Sequence, residues 1–288
     1  MEITKNKIII GAIGLLVLLN GFAWQIVFNL SSQQYLKVDF LSVGQGDATF
    51  VETPSKQQIL IDGGPDSTIL EKLGQEMLPQ DRTIDLIILT HPEADHMTGL
   101  LEVLKRYEVR NVLWTGVIRD TAEWREWNSL IEEEGAGIWI AQAGGELVLQ
   151  KESPRIVINI LNPPENLRGK KLEDSNNTSI VLSLIIGDRT FLLTGDINSS
   201  GEQLLGERIG ADVLKIAHHG SKYSTSEEFL NIVSPSVAVI SVGKNTYGHP
   251  AEELLARLDK FGIETLRTDL SGDIKFISDG KNIKIINN

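Results

Sequence analysis

The sequence predicts a large α/β domain preceded by a single N-terminal transmembrane helix. From Tyr35 onward, short runs of β-favouring residues alternate with segments of helical periodicity, which is typical of α/β proteins. Two of these runs, Ile84–Leu89 and Val213–Ala217, are almost entirely apolar, as expected of strands that are covered on both faces. The beginning of the chain differs, because an uncharged and mostly apolar run extends from Ile8 to Phe28.

The N-terminal run is long enough to cross a membrane, since a transmembrane helix needs about 20 apolar residues. Lys5 and Lys7 precede it, and positive charge on that side favours an orientation with the N-terminus inside. We therefore expect residues 1–34 to be a membrane anchor with a short linker. Residues 35–288 would then be the extracytoplasmic domain of a single-pass membrane protein. A cleaved signal peptide, which would make the protein secreted, is the alternative.

The regular elements of the domain follow from the apolar pattern. Alternating or continuous apolar residues predict strands at Leu36–Val43, Ala48–Glu52, Gln57–Ile61, Ile84–Leu89, Ser179–Ile186, Thr190–Leu193, Val213–Ala217 and Val237–Val242. Helical spacing predicts helices at Ser67–Met77, His96–Tyr107 and Ala251–Phe261, with a short helix near Glu202. The Pro- and Asn-rich stretch Asn162–Asn177 is expected to be one long internal loop.

Two features of the composition narrow the possible functions. The chain has no cysteine, so disulfides and thiolate metal ligands are excluded. Any metal must be held by His, Asp, Glu or Asn, which favours borderline to hard cations. The formal net charge of -12 argues against a long groove for duplex nucleic acid, although it is compatible with local binding through metal ions and a few lysines.

All five histidines follow strand-like segments or lie at the junction of a loop and a helix. The densest group is His91–His96, which places two imidazoles and Asp95 directly after an apolar strand. Side chains that follow strands converge at one edge of a sheet, and these residue types are metal ligands. Asp196, the pair His218–His219 and His249 occupy similar positions, although Asp196 alone is also compatible with a turn. The joint pattern predicts a metal site.

These motifs, in this order, resemble the metallo-β-lactamase superfamily. Five phrases resemble in particular the metallo-hydrolase domain of the ComEC-type competence proteins: Asp39–Asp47, Ile61–Gly64, Asn177–Ser179, Ala211–Lys215 and Tyr247–Pro250. The resemblance extends from about Leu36 to the end of the chain. It implies a four-layer αββα sandwich with a two-metal site at one edge of the paired sheets.

The resemblance also implies roles for the matching residues. The implied metal ligands are His91, Asp95, His96, Asp196 and either His218 or His219, a choice that the sequence leaves open. His91 would bind the first ion, and Asp95 and His96 the second, with Asp196 bridging both. Asp62 would orient one of the ligand histidines through a hydrogen bond.

Two positions depart from the superfamily pattern. Glu93 stands where a second histidine is usual, and an asparagine or threonine stands near Asn177 where another is expected. Oxygen ligands would shift the preference from zinc towards manganese or magnesium, or the first site would be weak or empty. We therefore expect one or two divalent ions, with manganese or zinc ahead of magnesium.

Several polar side chains beside these motifs are candidates for contact with substrate. The set comprises Lys215, Ser221, Lys222, Lys244 and His249. The three lysines and His249 would hold phosphate oxygens. Asp95, Asp196 and His249 are the predicted catalytic residues: Asp196 would hold the attacking water, and His249 would stabilise oxygens of the phosphate.

The predicted function is that of a metal-dependent phosphodiesterase or nuclease. By analogy to competence, extracellular DNA is the expected substrate, in single-stranded form. Cell-wall or choline phosphodiesters are alternative substrates, and an exported non-catalytic metal-binding recognition domain is the alternative of another class. One membrane span does not form a channel, so a separate membrane channel protein is an expected partner. The oligomeric state is left open.

Overall fold

The computed structural model describes residues 11–24, 35–172, 174–206 and 209–286, which fall into an N-terminal unit and a domain that begins at Tyr35. In the N-terminal unit, residues 11–24 are helical (α1) and their apolar side chains are exposed. Within the described residues, no helix has the length and apolar character that crossing a membrane requires. The rest of the expected anchor, 1–10 and 25–34, lies outside the described residues, so the anchor stays a prediction.

The first large sheet contains eight strands: β1 (Leu36–Phe40), β2 (Thr49–Glu52), β3 (Gln58–Ile61), β5 (Leu86–Leu89), β7 (Asn111–Trp114), β8 (Gly137–Ile140), β16 (Ile274–Ser278) and β17 (Ile283–Ile286). They lie in the order β17-β16-β1-β2-β3-β5-β7-β8. Strands β3, β5, β7 and β8 are parallel, so the loops that follow them reach the same edge of the sheet. Two short strands, β4 (Thr83–Ile84) and β6 (Glu108–Val109), pair separately.

The second large sheet contains seven strands: β9 (Glu146–Gln150), β10 (Ile156–Asn162), β11 (Val181–Ile186), β12 (Arg189–Leu193), β13 (Val213–Lys215), β14 (Val237–Ile240) and β15 (Glu264–Arg267). Their order is β15-β14-β13-β12-β11-β10-β9. Strands β12 to β15 are parallel, which brings the loops after β12, β13 and β14 to one edge.

Helices cover the outer faces of both sheets. They are α2 (Thr68–Glu76), α3 (Ala94–Leu104), α4 (Ala122–Glu134), α6 (Glu227–Val233) and α7 (Glu252–Lys260). The structure also contains two four-residue helices, α5 (Ser199–Glu202) and α8 (Thr268–Ser271). One buried cluster, which includes Phe40 and Phe191, fills the space between the sheets. A second packs α2, α3 and α4 on the first sheet, and a third packs α6 and α7 on the second. The expected sandwich of two sheets flanked by helices is confirmed.

The boundaries of the expected elements agree closely with the structure where the apolar pattern was strong. Helices α2, α3 and α7 begin and end within three residues of their expected limits. The expected strand Ile84–Leu89 is divided at Asp85, whose carboxylate accepts a hydrogen bond from the Gln58 amide. In the stretch Asn162–Asn177, residues that the structure describes form a loop, which leads into a short 3-10 turn at Asn176–Thr178.

Candidate metal centre

The candidate site is built by loops that leave parallel strands at the same edge of the two sheets. Asp62 directly follows β3, and the segment His91–His96 connects β5 to the first turn of α3. Asp196 follows β12, and His219 lies in the 3-10 turn after β13. Parallel strands thus deliver side chains that are far apart in sequence to one place.

Four of the expected metal ligands converge there. The ligand atoms of Asp95, His96, Asp196 and His219 all lie within 4.8 Å of one another. Oδ2 of Asp196 is 3.3 Å from Nε2 of His96 and 3.4 Å from Nε2 of His219. Nε2 of His219 is also 3.1 Å from Oδ2 of Asp95. Two imidazoles and two carboxylates at this spacing form a donor set for a divalent cation.

His91 lies beside the cluster, outside the group of four whose ligand atoms are within 4.8 Å of one another. Its ring centroid is 4.2 Å from that of His96, and its Nδ1 lies 3.0 Å from the hydroxyl of Thr90. Among the described residues, the buried atoms Nε2 of His91, Nε2 of His96 and Oδ1 of Asp196 find no hydrogen-bond partner. An unsatisfied buried polar group costs about 1–3 kcal/mol, and a coordinated cation would remove that cost. The residues present therefore fit a divalent metal.

Asp62 occupies the position expected of an orienting carboxylate. Its Oδ2 accepts a hydrogen bond of 2.8 Å from Nδ1 of His96, which leaves Nε2 directed at the cluster. The backbone N–H and the hydroxyl of Thr90 donate to the same carboxylate, at 2.8 and 2.7 Å. Asp62 thereby fixes both the ring orientation and the tautomer of His96.

Asp47 lies beside the cluster, and the sequence interpretation did not include it among the site residues. It is buried, forms an ion pair with Lys215, and places Oδ1 3.3 Å from Nδ1 of His219. The same nitrogen donates to the Ser241 carbonyl at 2.9 Å. The available signal was an acidic residue at the end of the turn Gly44–Asp47, on the same edge as the other motifs.

Lys215 does not line the substrate side of the cluster, so its expected role in holding phosphate is wrong. The side chain is buried, with Nζ donating to the carbonyls of Gly195 and Ile216 at 3.2 and 3.3 Å. Burial opposes its charge, but Asp47 and Asp196 together raise the pKa of Lys215 above its usual value. Lys215 is a fixed cation beneath the cluster, 3.9 Å from Oδ1 of Asp196.

The pKa shifts of the cluster residues follow from burial and from the close spacing of charged side chains. Burial lowers the pKa of His91 to about 3, with His96 as the next cause. Burial also opposes protonation of His219, but Asp196 and Asp47 outweigh it and raise the pKa to about 10. For Asp196, His219 and His96 overcome burial and hold the pKa well below its usual range. Asp196 is therefore an ionised carboxylate, as a metal ligand must be.

The structure separates the two adjacent histidines. His219 joins the cluster, whereas the ring centroid of His218 lies 5.5 Å from that of His249. Both residues have left-handed backbone angles, with φ of 51° and 52°, so successive side chains diverge sharply. The open choice between them is resolved in favour of His219, and a ligand role for His218 is not supported.

A cleft of about 200 Å³ gives access to the cluster. Its lining includes Asp95, Asp196, His218, His219, His249, Tyr247, Gln45, Glu93 and Asn176. His249 thus stands at the cleft, as expected of a residue that contacts substrate.

The two departures from the superfamily pattern have distinct surroundings. Glu93 lines the cleft, but its Oε1 is 2.8 Å from the guanidinium of Arg119 and accepts a hydrogen bond from Ser175. Asn177 does not line the cleft, and its expected role beside the site stays a prediction. Its side-chain amide donates to Asp174, and Asn176 faces the cleft instead.

The remaining expected substrate contacts are spread over a neighbouring surface. Ser221 and Lys222 line a groove of about 510 Å³ beside the cleft, and the Ser221 hydroxyl accepts a hydrogen bond from the Tyr223 amide. Lys222 is exposed and accessible to a ligand. Lys244 is exposed, but among the described residues it lines neither the cleft nor the groove, so its expected contact is not supported.

Comparison with known proteins places these features in a family. Residues 41–244 match the model of the metallo-beta-lactamase superfamily. ComE operon protein 3 of Bacillus subtilis is 34% identical over 262 residues, which are 83% of this chain and 33% of that protein. Competence protein ComA of Neisseria gonorrhoeae is 34% identical over 206 residues, covering 68% of this chain and 25% of the relative. Recombination protein 2 of Haemophilus influenzae is 29% identical over 256 residues, at 87% and 30% coverage. The chain therefore spans a third or less of the length of these relatives.

Solved structures resemble the fold at low sequence identity. The metallo-beta-lactamase fold protein YhfI of Bacillus subtilis superposes with a TM-score of 0.57 at 13% identity, covering 85% of this chain and 100% of its own. Igni18, a metallo hydrolase of Ignicoccus hospitalis, gives a TM-score of 0.53 at 17% identity, covering 84% and 98%. These similarities concern the fold alone.

Proposed function

The chain belongs to the metallo-beta-lactamase superfamily, and we propose that it is a metal-dependent phosphodiesterase that cleaves single-stranded DNA. The observation that carries this proposal is the convergence of Asp95, His96, Asp196 and His219 at the foot of an open cleft. His91, with its unpaired buried nitrogen, extends the donor set towards a second ion.

The five donors would hold one or two divalent ions, with manganese or zinc preferred to magnesium because nitrogen and oxygen ligands are mixed. A bound ion supplies Lewis acidity, which polarises a phosphoryl oxygen and lowers the pKa of water. Asp196, held ionised, would accept a hydrogen bond from the attacking water and orient it towards phosphorus. His249 faces the same cleft and can donate a hydrogen bond to a phosphate oxygen as charge develops there.

DNA is favoured as the substrate by the names of the relatives, which refer to competence and recombination. The cleft is open to solvent and joins a longer groove, as a polymer requires. The apolar run Ile8–Phe28 supports a membrane-anchored domain outside the cytoplasm, where DNA would be met before uptake. A separate membrane channel protein would complete such a system. Cell-wall or choline phosphodiesters would suit the same chemistry.

One observation favours a second candidate, a non-catalytic metal-binding recognition domain. Glu93 stands where the superfamily usually has a histidine, and its carboxylate is engaged by Arg119 and Ser175. Because Arg119 and Ser175 contact it, the Glu93 carboxylate does not serve as a ligand at the first metal position. A domain with a single, partly filled site would bind a ligand through the metal without turning it over.

Activity of the full chain, purified in detergent, tests the proposal. Cleavage of labelled oligothymidylate and of bis-para-nitrophenyl phosphate is measured with manganese, zinc or magnesium. We expect metal-dependent cleavage that falls about 100-fold or more in Asp196→Asn, because the carboxylate both binds the metal and orients the attacking water. Asp188→Asn, in the exposed turn between β11 and β12, is the matched control and should retain full activity. Metal binding without cleavage of either substrate would favour the recognition domain.

A further inference from the structure

Two exposed tyrosines lie beside the metal centre. In the domain from Tyr35 onward, the two most exposed aromatic side chains that the structure describes are Tyr223, at 69%, and Tyr247, at 75%. Both line the same groove, together with Lys222 and His249. Single exposed aromatic residues are common on protein surfaces, but two in one groove beside a candidate active site are not explained by packing.

The groove leads into the metal cleft. Tyr247 and His249 line both cavities, so a ligand in the groove continues past His249 towards Asp95 and Asp196. The ring centroids of Tyr247 and His249 are 5.9 Å apart, and their planes are inclined by only 31°. The rings of Tyr247 and His249 therefore line the boundary between the groove and the cleft, where a bound ligand would contact them.

The backbone that carries each tyrosine is held in place. The Tyr223 amide donates to the Ser221 hydroxyl at 3.3 Å, and its carbonyl accepts from the Ser199 amide at 2.9 Å. The Tyr247 amide donates to the side chain of Asn245, whose amide group in turn donates to the His249 carbonyl. Exposed rings on a fixed backbone lose little entropy when a ligand packs on them.

The charges along the groove favour uncharged planar groups over a run of phosphates. Nζ of Lys222 lies 5.3 Å from the centroid of the Tyr223 ring, a cation-π contact that also brings one positive charge to the groove. Glu252 and Glu253 line the same groove and would repel a polyanion that lay along its floor. Phosphate thus fits near Lys222, and neutral bases fit against the tyrosines.

We propose that Tyr223 and Tyr247 form a stacking site for the unpaired bases of a single-stranded nucleic acid whose backbone enters the metal cleft past His249. Every base has a π-face, so such a site tolerates any sequence. It excludes duplexes, because paired bases have both faces covered by their neighbours. This inference rests on the proposed function, since it names how the substrate of that site is held.

Binding of oligonucleotides tests the stacking site directly. The full chain carries Asp196→Asn so that the oligonucleotide stays intact, and fluorescence anisotropy gives the Kd. The two ligands are a labelled oligothymidylate and an abasic oligomer of equal length and charge. We expect tighter binding of oligothymidylate, and we expect Tyr223→Ala and Tyr247→Ala each to weaken it about tenfold while leaving the abasic Kd unchanged. Tyr247→Phe should bind within about twofold of the parent, because the ring is kept.

Trp139→Ala is the control for a general loss of aromatic surface. Trp139 is 60% exposed and lines a different groove, so its removal should leave both Kd values unchanged. Equal affinity for the two oligomers, or an unchanged oligothymidylate Kd in both tyrosine variants, would overturn the stacking site. Base-dependent binding in a protein whose wild-type form cleaves no phosphodiester would instead overturn the proposed function and leave the stacking site standing.

Discussion

At the scale of single residues, the direction of a side chain decides whether it joins the metal centre. His218 and His219 are adjacent, yet only His219 approaches Asp95 and Asp196, at 3.1 and 3.4 Å. The Ser241 carbonyl and Asp47 hold the other nitrogen of its ring. A ligand that is held in this way has the orientation of its ring set before any ion binds.

Replacement of each histidine tests this distinction. We expect His219→Ala to weaken manganese binding about 100-fold, because it removes a donor atom from the cluster. His218→Ala, in contrast, should change the affinity less than about fivefold, since its ring packs near His249 instead. Isothermal titration calorimetry measures both, with circular dichroism as the check on folding. Equal losses in the two variants would show that the assignment is wrong.

The sequence identified most of this centre because its residues follow strands. Asp95, His96 and Asp196 come directly after or shortly beyond apolar runs, and the parallel sheets bring them together. It misplaced Lys215, since a lysine on a strand beside a metal motif has the same pattern whether it faces substrate or core. Burial against Asp47 is a tertiary contact between residues 168 positions apart, which no local pattern reveals.

At the scale of elements, close packing of α3 on the loop after β3 positions two ligands. A Cβ on Gly99 would lie 1.9 Å from the Gly63 carbonyl oxygen, so no larger residue fits there. The Gly63 amide donates to the His96 carbonyl at 2.8 Å, and the Gly99 amide to that of Gly64 at 2.9 Å. These contacts fix the first turns of α3, which carry Asp95 and His96.

Gly99→Ala should therefore displace α3 and harm both stability and metal binding. We expect a loss of about 2–3 kcal/mol in the free energy of unfolding, as for other overpacked core positions. Gly74→Ala is the matched control, since Gly74 is an exposed glycine within α2 with open space around its Cβ position. It should be stabilised by about 0.5–1 kcal/mol through helix propensity. Urea unfolding measures both, and a neutral Gly99→Ala would contradict the packing described.

Some of the elements that the sequence did not predict, namely β8, β9 and α4, have weak or ambiguous patterns. Strands β8 and β9 lie at the edges of their sheets and are largely or partly exposed, so they lack a buried face that would produce alternation. Helix α4 buries only Trp127 and Ile131 fully, and its charged residues obscure the apolar stripe. Elements such as β5 and β13 were recognisable because both of their faces are covered.

At the scale of the whole molecule, a partly buried cluster of charged side chains links the first sheet to α2. Lys37 and Lys275, on β1 and β16, contact the Glu76 carboxylate at 3.2 and 2.5 Å. Asp39 is fully buried beside them. Burial, followed by the negative charge of Glu76, raises the pKa of Asp39 to about 8, so Asp39 is protonated at neutral pH in the folded protein.

The stability of the fold should consequently depend on pH through Asp39. The unfolded chain releases this proton near the ordinary value of 3.8, whereas the folded protein keeps it until about pH 8. The folded state binds the extra proton in that window, so the free energy of unfolding falls as pH rises, by up to about 1.4 kcal/mol per pH unit. Burial opposes the charge of Glu76, but Lys275 and Asp39 outweigh it and lower its pKa below the ordinary value of 4.5. Glu76 is therefore ionised in the folded and the unfolded chain at neutral pH and adds no slope there.

Asp39→Asn removes the titrating proton while keeping the shape of the side chain. The difference in unfolding free energy between this variant and the wild type should therefore grow in favour of the variant from pH 5 to pH 8. Asp120→Asn, at an exposed carboxylate, should follow the wild type throughout. Urea titrations at several pH values measure the difference. If the unfolding free energies of wild type and Asp39→Asn changed in parallel with pH, the raised pKa of Asp39 would be contradicted.

The α/β class of the domain was predictable because apolar strands and amphipathic helices have distinct patterns. The four-layer sandwich was implied only by the resemblance to the metallo-β-lactamase superfamily. The order of the strands within each sheet was not predictable from the sequence. β16 and β17 come last in sequence yet pair beside β1, through contacts that span more than 230 positions. Such pairing depends on the assembled core and leaves no trace in local periodicity.

We expect divalent metal to be bound jointly by His91, Asp95, His96, Asp196 and His219. Equilibrium dialysis of the full chain against manganese, with the bound metal measured by elemental analysis, tests it most directly. We expect one or two ions per chain in the wild type, and none in Asp196→Ala despite an unchanged circular dichroism spectrum. A folded wild-type protein that retains no manganese, zinc or magnesium, or an Asp196→Ala variant that retains as much metal as the wild type, would contradict the claim.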